Sequence, residues 1–255
     1  MYHCVFDESC HTHVMMRPIH FEIGETAVTV LSDEKYHKTA KDAIFEAREI
    51  ILAKIAEDSF FKITYDPYPP SKDDNQLIRR MCQASELSDV GPMAGVAGAV
   101  AVYAVERMAE AGASFAVIEN GGDIALKIDR EISVGLYSGD DVMKNIALKV
   151  KPQDGIFGIC SSSGKIGPSV SFGTSSICTV ISDDVILADC CATALGNMIK
   201  EGTQEELSSS LEKITSIENV RGCIASANGL FGMAGDVPEL IRKDVNPDGA
   251  SRIVF

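Results

Sequence analysis

Hydrophobic and polar positions alternate with a period of two in "HFEI" and again in "AVTVL", on either side of Gly24-Glu25. Alternation of that kind predicts two strands within residues 14–31, facing each other across a tight turn. After Ser32 the period lengthens. Tyr36, Ala40, Ala43, Ala47, Ile50, Ile51 and Ile55 then fall on one helical stripe, with Ser32 placed to cap the helix and Asp33 and Glu34 in its first turn. The proline-rich "YDPYPPSKDD" reads as a connector, followed by a helix over roughly 73–88. Gly91-Pro92 restarts the chain, with Pro92 suited to a first helical turn. The helix it opens carries Gly95 and Gly98. Glycine inside a helix costs about 1 kcal/mol against alanine, so the two mark the close approach of another backbone or of a ligand, the former being the simpler reading.

From Ser114 onward the pattern predicts strands over 114–119, 124–129, 132–138, 145–150, 157–161 and 176–182, separated by turns rich in Gly, Asp and Ser. Helices follow over about 185–200 and 203–213. "RGCIASANGLFGMAG" reads as a hairpin in which Asn228-Gly229 carries a strong type I′ signal. Strands joined by short turns make the sheet largely antiparallel, and the helices come in groups. That combination predicts an α+β fold, not a doubly wound parallel one. The 255 residues suit one domain over 1–255, with 1–20 an irregular N-terminal segment and 236–255 a C-terminal tail.

Charge narrows the choice of partner. The formal net charge is −14, which argues against sequence-independent nucleic-acid binding. It also means that a phosphorylated ligand needs local help from backbone amides, a helix N-terminus or a bridging cation. The uncharged run 90–105 is too short, and too rich in Ala and Gly, for a membrane span. None of the eight cysteines forms a CxxC pair, and the first residues lack the basic start and apolar core of a secretory signal. Reduced thiols and a cytoplasmic location are expected. All five histidines precede residue 38; with Cys4 and Cys10 they make a His/Cys-rich start whose spacing matches no standard zinc site.

Three stretches could carry chemistry. In "ENGGD", Gly121 and Gly122 admit positive φ and bring amides to the surface, while Asn120 and Asp123 add an amide side chain and a carboxylate; turn chemistry alone would also account for them. "GICSSSGKIGPSVSFG" offers the hydroxyls of Ser161, Ser162 and Ser163 and the amide of Gly164 to a phosphate or a ring edge, without the lysine and spacing of a P-loop; a solvated serine-rich loop is the plain alternative. In "LADCCATALGN", Asp189 and Thr193 are four apart and share a helix face. A carboxylate and a hydroxyl at that spacing suit a hard cation such as Mg²⁺, which keeps several waters; an Asp acting on the helix dipole is the alternative. Cys190 and Cys191 read as small buried hydrophobes.

Taken in order, "VGPMAGVAGAVA", "VIENGGDIAL", "VGLYSGD", "GICSSSGKIGPSVSFG" and "ADCCATALGN" resemble the ApbE-like superfamily, in an uncharacterised branch known mainly from methanogens and other anaerobes. The resemblance runs from about Gly24 to Asn197. It implies a T-fold-like α+β architecture and, by analogy with the superfamily's FAD:protein FMN transferases, a flavin or related nucleotide ligand, Mg²⁺ and a protein acceptor. Oligomers are compatible with it. Asp189 and Thr193 fall on the superfamily's Asp-x-x-x-Thr magnesium ligands. Residues 121–123 fall on its Gly-Gly-Asp turn beside the nucleotide, and Ser162, Ser163 and Gly164 on its Arg-Thr-Gly loop. Gly91 and Met93 of the first motif join the ligand wall by the same likeness. Two charged features are missing. The family lysine of Ala-Lys-Gly falls near Ala97, and "CSSSG" stands where a His and an Asp precede the loop. The expectation is therefore a flavin- or nucleotide-binding protein with altered charge chemistry. The alternative is a non-catalytic binder or an interaction protein on the same fold.

Overall fold

The computed structural model describes residues 3–5, 16, 18–23, 26–136, 143–163 and 174–243, the first three by backbone alone. Its large sheet runs in the order β11 (Leu230–Gly235), β10 (Val220–Ala227), β9 (Ile177–Ser182), β8 (Phe157–Ser162), β5 (Asp123–Lys127), β4 (Ala116–Asn120), β3 (Thr26–Ser32), β2 (Ile19–Ile23). A second sheet has the order β1 (His3–Val5), β6 (Ile132–Leu136), β7 (Ile146–Val150), β12 (Glu239–Arg242). Every neighbouring pair in both sheets is antiparallel.

Period-two alternation divides the large sheet into two faces, and each face buries a different set of partners. Along β4, Ile118 turns toward the helices while its neighbour Val117 turns away. The helical side holds Ala125, Cys160, Cys178 and Val180 against α1 (His37–Glu57), α3 (Gln76–Ser88), α4 (Val96–Glu110) and α5 (Val185–Met198). The reverse side holds Ile124, Leu126, Ile159 and Ile181 against Val134 and Leu136 of β6 and Leu148 and Val150 of β7. The result is three layers, helices on large sheet on small sheet, which is the α+β class that the element order predicts. Among the described residues no single helix is long and apolar enough to cross a membrane.

Local chemistry sets the boundaries. The two strands expected within 14–31 form as β2 and β3 and pair directly; their turn, Gly24-Glu25, lies outside the described residues. Ser32 does not cap the first helix. It closes β3 and gives its hydroxyl to the Asp33 carbonyl at 3.2 Å, and α1 begins at His37 after a 3₁₀ turn over Glu34–Tyr36. The apolar stripe itself is buried as predicted at Ala40, Ala43, Ala47 and Ile51. Asn75 caps α3, its Oδ1 accepting the Leu77 N–H at 2.8 Å. Asn228 and Gly229, at φ 51° and 76°, make the β10–β11 turn, the positive pair that a type I′ turn requires. Within 236–255, β12 packs onto β7, and within 1–20, β1 pairs with β6. The His/Cys-rich start otherwise lies outside the described side chains.

One polar pair in the helical layer has no signature in the periodicity. Lys54 sits on the buried stripe of α1 and donates to Asp74 Oδ1 at 2.7 Å, both side chains being about as hidden as the apolar core. Asp74 also accepts the Ser71 N–H at 2.7 Å. The pair ties the proline-rich connector to α1. Its hydrogen bond to Asp74 raises the Lys54 pKa.

Candidate functional site

Four segments converge on the helical face of the large sheet: the β4–β5 turn, the end of β8, the first turn of α4 and the first half of α5. The turn is the "ENGGD" stretch. Asn120 and Asp123 pair across it, and Gly121 and Gly122 have φ of 67° and 113°, so it is a two-residue hairpin of the kind that needs glycine. Gly121 is exposed, and a Cβ there would meet nothing within 4 Å. Asn120 does more than turn the chain. Its Nδ2 donates to the Ala97 carbonyl at 3.1 Å and fastens the hairpin to α4.

Asp189 lies on α5, but Asp184 is that helix's cap, its Oδ1 accepting from Ile186 and Leu187. The Asp189 carboxylate serves a different helix. Its Oδ2 accepts the Gly98 N–H at 2.8 Å, in the first turn of α4, where backbone donors have no intrahelical partner. Gly98 permits this approach: a Cβ there would stand 2.9 Å from the Val185 carbonyl and 3.0 Å from Asp189 Cβ. Gly95 likewise packs on Ile186 and Cys190. The helix glycines are thus explained by the α4–α5 crossing.

Asp123 projects to the same side of the sheet. It accepts the Ser161 N–H at 3.2 Å and lies near enough to Asp189 for the two carboxyls to act on each other. Desolvation pushes both carboxyls above the ordinary range, and for Asp189 the neighbouring Asp123 pushes further. Two acids that act on each other out of water titrate as a unit. Among the described residues no lysine, arginine or histidine forms an ion pair with either one.

The serines divide. Ser161 turns its hydroxyl to the reverse face, onto Thr179 Oγ1 at 2.7 Å, and offers this site only its amide, which Asp123 already takes. Ser163 Oγ donates to the Ser176 carbonyl at 2.9 Å. Ser162 alternates onto the helical face with Cys160; its hydroxyl is buried and has no hydrogen-bond partner among the described residues. Gly164 lies outside the described residues. Gly91 is accounted for by packing, since a Cβ there would fall 2.0 Å from the Thr64 carbonyl oxygen. Met93, in the 3₁₀ turn Pro92–Gly95, packs against the helical core.

Sequence reading missed two participants, Cys160 and the α4 amides. Cys160 donates from Sγ to the Val185 carbonyl at 3.6 Å beside Asp123, and nothing in its strand context distinguishes it from core. The α4 donors were signalled by Gly98 alone. Glu119 of "ENGGD" alternates onto the opposite face from Asp123, where desolvation pushes it up to about 8.

The side chains gathered here offer oxygen donors. Asp189 and Thr193 stand one turn apart on α5, Thr193 half-buried, with Asp123 acting on Asp189. All are hard oxygen donors. Among the described residues no group of three or more His, Cys, Asp or Glu side chains could hold a metal. Oxygens of this kind could hold a hard cation such as Mg²⁺.

The sequence profile of the family described as "AbpE bacteria" matches residues 8–214. The chain belongs to the ApbE-like superfamily. Within it, a "UPF0280 protein" of Methanocella arvoryzae is 41% identical over 232 residues, covering 91% of this chain and 94% of that protein. A "UPF0280 protein" of Archaeoglobus fulgidus is 42% identical over 228 residues, covering 88% and 94%. Solved ApbE structures share the fold at low identity. The flavin transferase ApbE from Vibrio cholerae superposes with a TM-score of 0.54 at 12% identity, covering 87% of this chain and 97% of that one. The ApbE protein from Thermotoga maritima gives 0.55 at 13%, covering 90% and 97%.

Proposed function

We propose that this protein binds a flavin nucleotide together with Mg²⁺ at the junction of the β4–β5 turn, α4 and α5. One observation carries the reading: on an ApbE-type fold, Asp189 of α5, one turn before Thr193, meets Asp123 of a hairpin whose Gly121 face is open. Asp189 and Thr193 would hold the cation, with Asp123 bracing Asp189. Asn120 and Gly98 fix the wall against which the ligand lies. When bound, the cation supplies neutralisation of charge on a pyrophosphate, the requirement for cleaving or transferring across it. The protein's own part is to orient Asp189 through the Gly98 amide and to keep the carboxyl pair out of water.

A second reading is a binder without chemistry. It is favoured by Ala97 at the position where the transferases are expected to carry lysine. Incubation with FAD and Mg²⁺ separates the two. Flavin fluorescence reports binding and released AMP reports cleavage. AMP release that Asp189→Ala abolishes supports the enzyme, and tight binding without AMP supports the binder. If the protein leaves the fluorescence of both FAD and FMN unchanged, with and without Mg²⁺, neither reading stands. A protein acceptor, as the resemblance implies, would be revealed by an FMN-sized mass increase on a co-purified chain.

A further inference from the structure

We infer that β11 is the docking edge for a second copy of this chain. The two β11 strands pair antiparallel across a two-fold axis and join two large sheets into one. The inference does not rest on the flavin reading above, because β11 lies four strands along the sheet from β5 and its hairpin.

A border strand presents backbone donors and acceptors that its single neighbour leaves unmet, and proteins guard such borders with charge, proline or a bulge. Two other borders are guarded here. β2, at the opposite end of the large sheet, carries His20 and Glu22. β12 carries Glu239 and Arg242 directly after Pro238. β11 reads Leu-Phe-Gly-Met-Ala-Gly, with no charge and no proline, and its register with β10 runs unbroken over six pairs. Among the described residues it has a strand on one side only.

The outward groups follow from the hairpin. Its two-residue turn closes on the pair Ala227–Leu230, and at the other end Asp236 donates its N–H to the Arg221 carbonyl at 2.7 Å. The even-numbered residues of β11 therefore turn their backbone toward β10, and alternation turns the N–H and C=O of Phe231, Met233 and Gly235 away from it. The side chains favour a copy of the same strand. Leu230 and Ala234 pack on the helical core, and a Cβ on Gly232 would stand 2.7 Å from Leu211 Cδ1 of α6 (Gln204–Thr215). On the reverse face Phe231 is half-buried, while Met233 is 55% exposed. In an antiparallel pair centred on Gly232, each Phe231 faces the other copy's Met233 and covers it. The net charge of −14 makes copies repel one another unless their contact is neutral, and β11 is a neutral border. One self-complementary patch closes a two-fold dimer. Pairing uses up both β11 borders and leaves a guarded β2 at each end, so association stops at two.

The test is sedimentation equilibrium of the full chain, joined to residue-resolved amide hydrogen exchange. A strand pair of this length buries less than about 1,200 Å². The dimer is therefore expected at micromolar concentrations, at twice the 27.3 kDa chain mass, and should come apart on dilution. The amides of Phe231, Met233 and Gly235 should exchange slowly in the concentrated protein and fast in the dilute one. Those of Gly232 and Ala234, turned toward β10, should stay slow in both. Met233→Lys brings like charges together across the axis and should weaken the dimer about 100-fold or more. Met233→Pro deletes an outward N–H, which a border strand tolerates, and should also weaken it. Leu87→Lys, at a residue 52% exposed on α3, should leave the dimer intact. A full chain that sediments as a monomer at about 200 µM, where an interface of this size should hold, would overturn the inference. So would a dimer that either folded Met233 variant leaves unchanged. The exchange measurement needs no variant: a dimer whose Phe231 and Met233 amides exchange as fast as in the dilute chain would place the contact elsewhere and overturn the inference as well.

Discussion

Gly98 shows how one missing side chain organises the site. It lets α4 and α5 close until an amide of one meets a carboxylate of the other. Gly98→Ala gains about 1 kcal/mol of helix propensity, yet its Cβ would press on the Val185 carbonyl at 2.9 Å. Overpacking against backbone should outweigh the gain and leave a net loss of about 2 kcal/mol in urea denaturation; a neutral or stabilised variant would contradict the close approach. The carboxyl pair has its own signature. Both folded pKa values are raised, so the folded chain keeps protons that the unfolded chain gives up above about pH 4. Stability carried by the pair is complete below that pH and is lost as pH rises through the folded value, about 7 at Asp123. Asp123→Asn should remove that falling limb. Wild type minus variant should decline by on the order of 4 kcal/mol between about pH 4 and pH 8, and a flat difference would contradict the raised carboxyl. At this scale the sequence was half legible. Asp189 and the two glycines announced themselves by breaking local rules. That Asp189 caps a neighbouring helix could not be read, because a side chain's partner across 91 positions of chain leaves no trace in periodicity.

Elements were the most legible level, since amphipathic period and cap chemistry act within a few residues of each other. α5 begins where Asp184 can accept two amide protons, at 2.9 and 3.3 Å. Asp184→Ala should cost about 1 kcal/mol and, because α5 presents Asp189 and Thr193, weaken the Mg²⁺ binding proposed above in calorimetry as well. The α1 start was misplaced. Ser32 had the right chemistry for a cap, but strand pairing with Ala116 claimed its backbone first. Lys54 was invisible for a different reason. A lysine at a core position of a helical stripe reads as an error until its acid is found, and Asp74 comes from the connector after α2 (Phe60–Ile63). Removing one member strands the other in the interior. Lys54→Met should therefore lower stability by about 3 kcal/mol, and adding Asp74→Leu should recover much of the loss. Additive single effects in thermal denaturation would show that the two do not act as a pair.

For the whole molecule, the described cysteines belong to the core. Cys82, Cys160, Cys178, Cys190, Cys191 and Cys223 are all buried as free thiols. Burial pushes Cys82 up to about 11 and Cys178, Cys191 and Cys223 up to about 12. These thiols should ignore an aromatic disulfide reagent in the native protein and react only as fast as the chain opens; rapid labelling of any of the six would refute the packing described. The antiparallel α+β layout was legible, because short turns between alternating segments permit little else. The departure of β6 and β7 into a second sheet was not, since a period of two states that a strand has two faces and says nothing of which neighbour it joins. That small sheet has a practical consequence. Its central hairpin is bordered on one side by residues 3–5 and on the other by residues 239–242. These two segments act as selvedges, finishing a fabric that would otherwise unravel at its borders. A chain cut short after Asp236 would bare the whole flank of β7, and bared flanks of that kind recruit one another. The shortened protein should be found as assemblies larger than those of the full chain in sedimentation, with the carboxyl pair on the far side of the large sheet undisturbed.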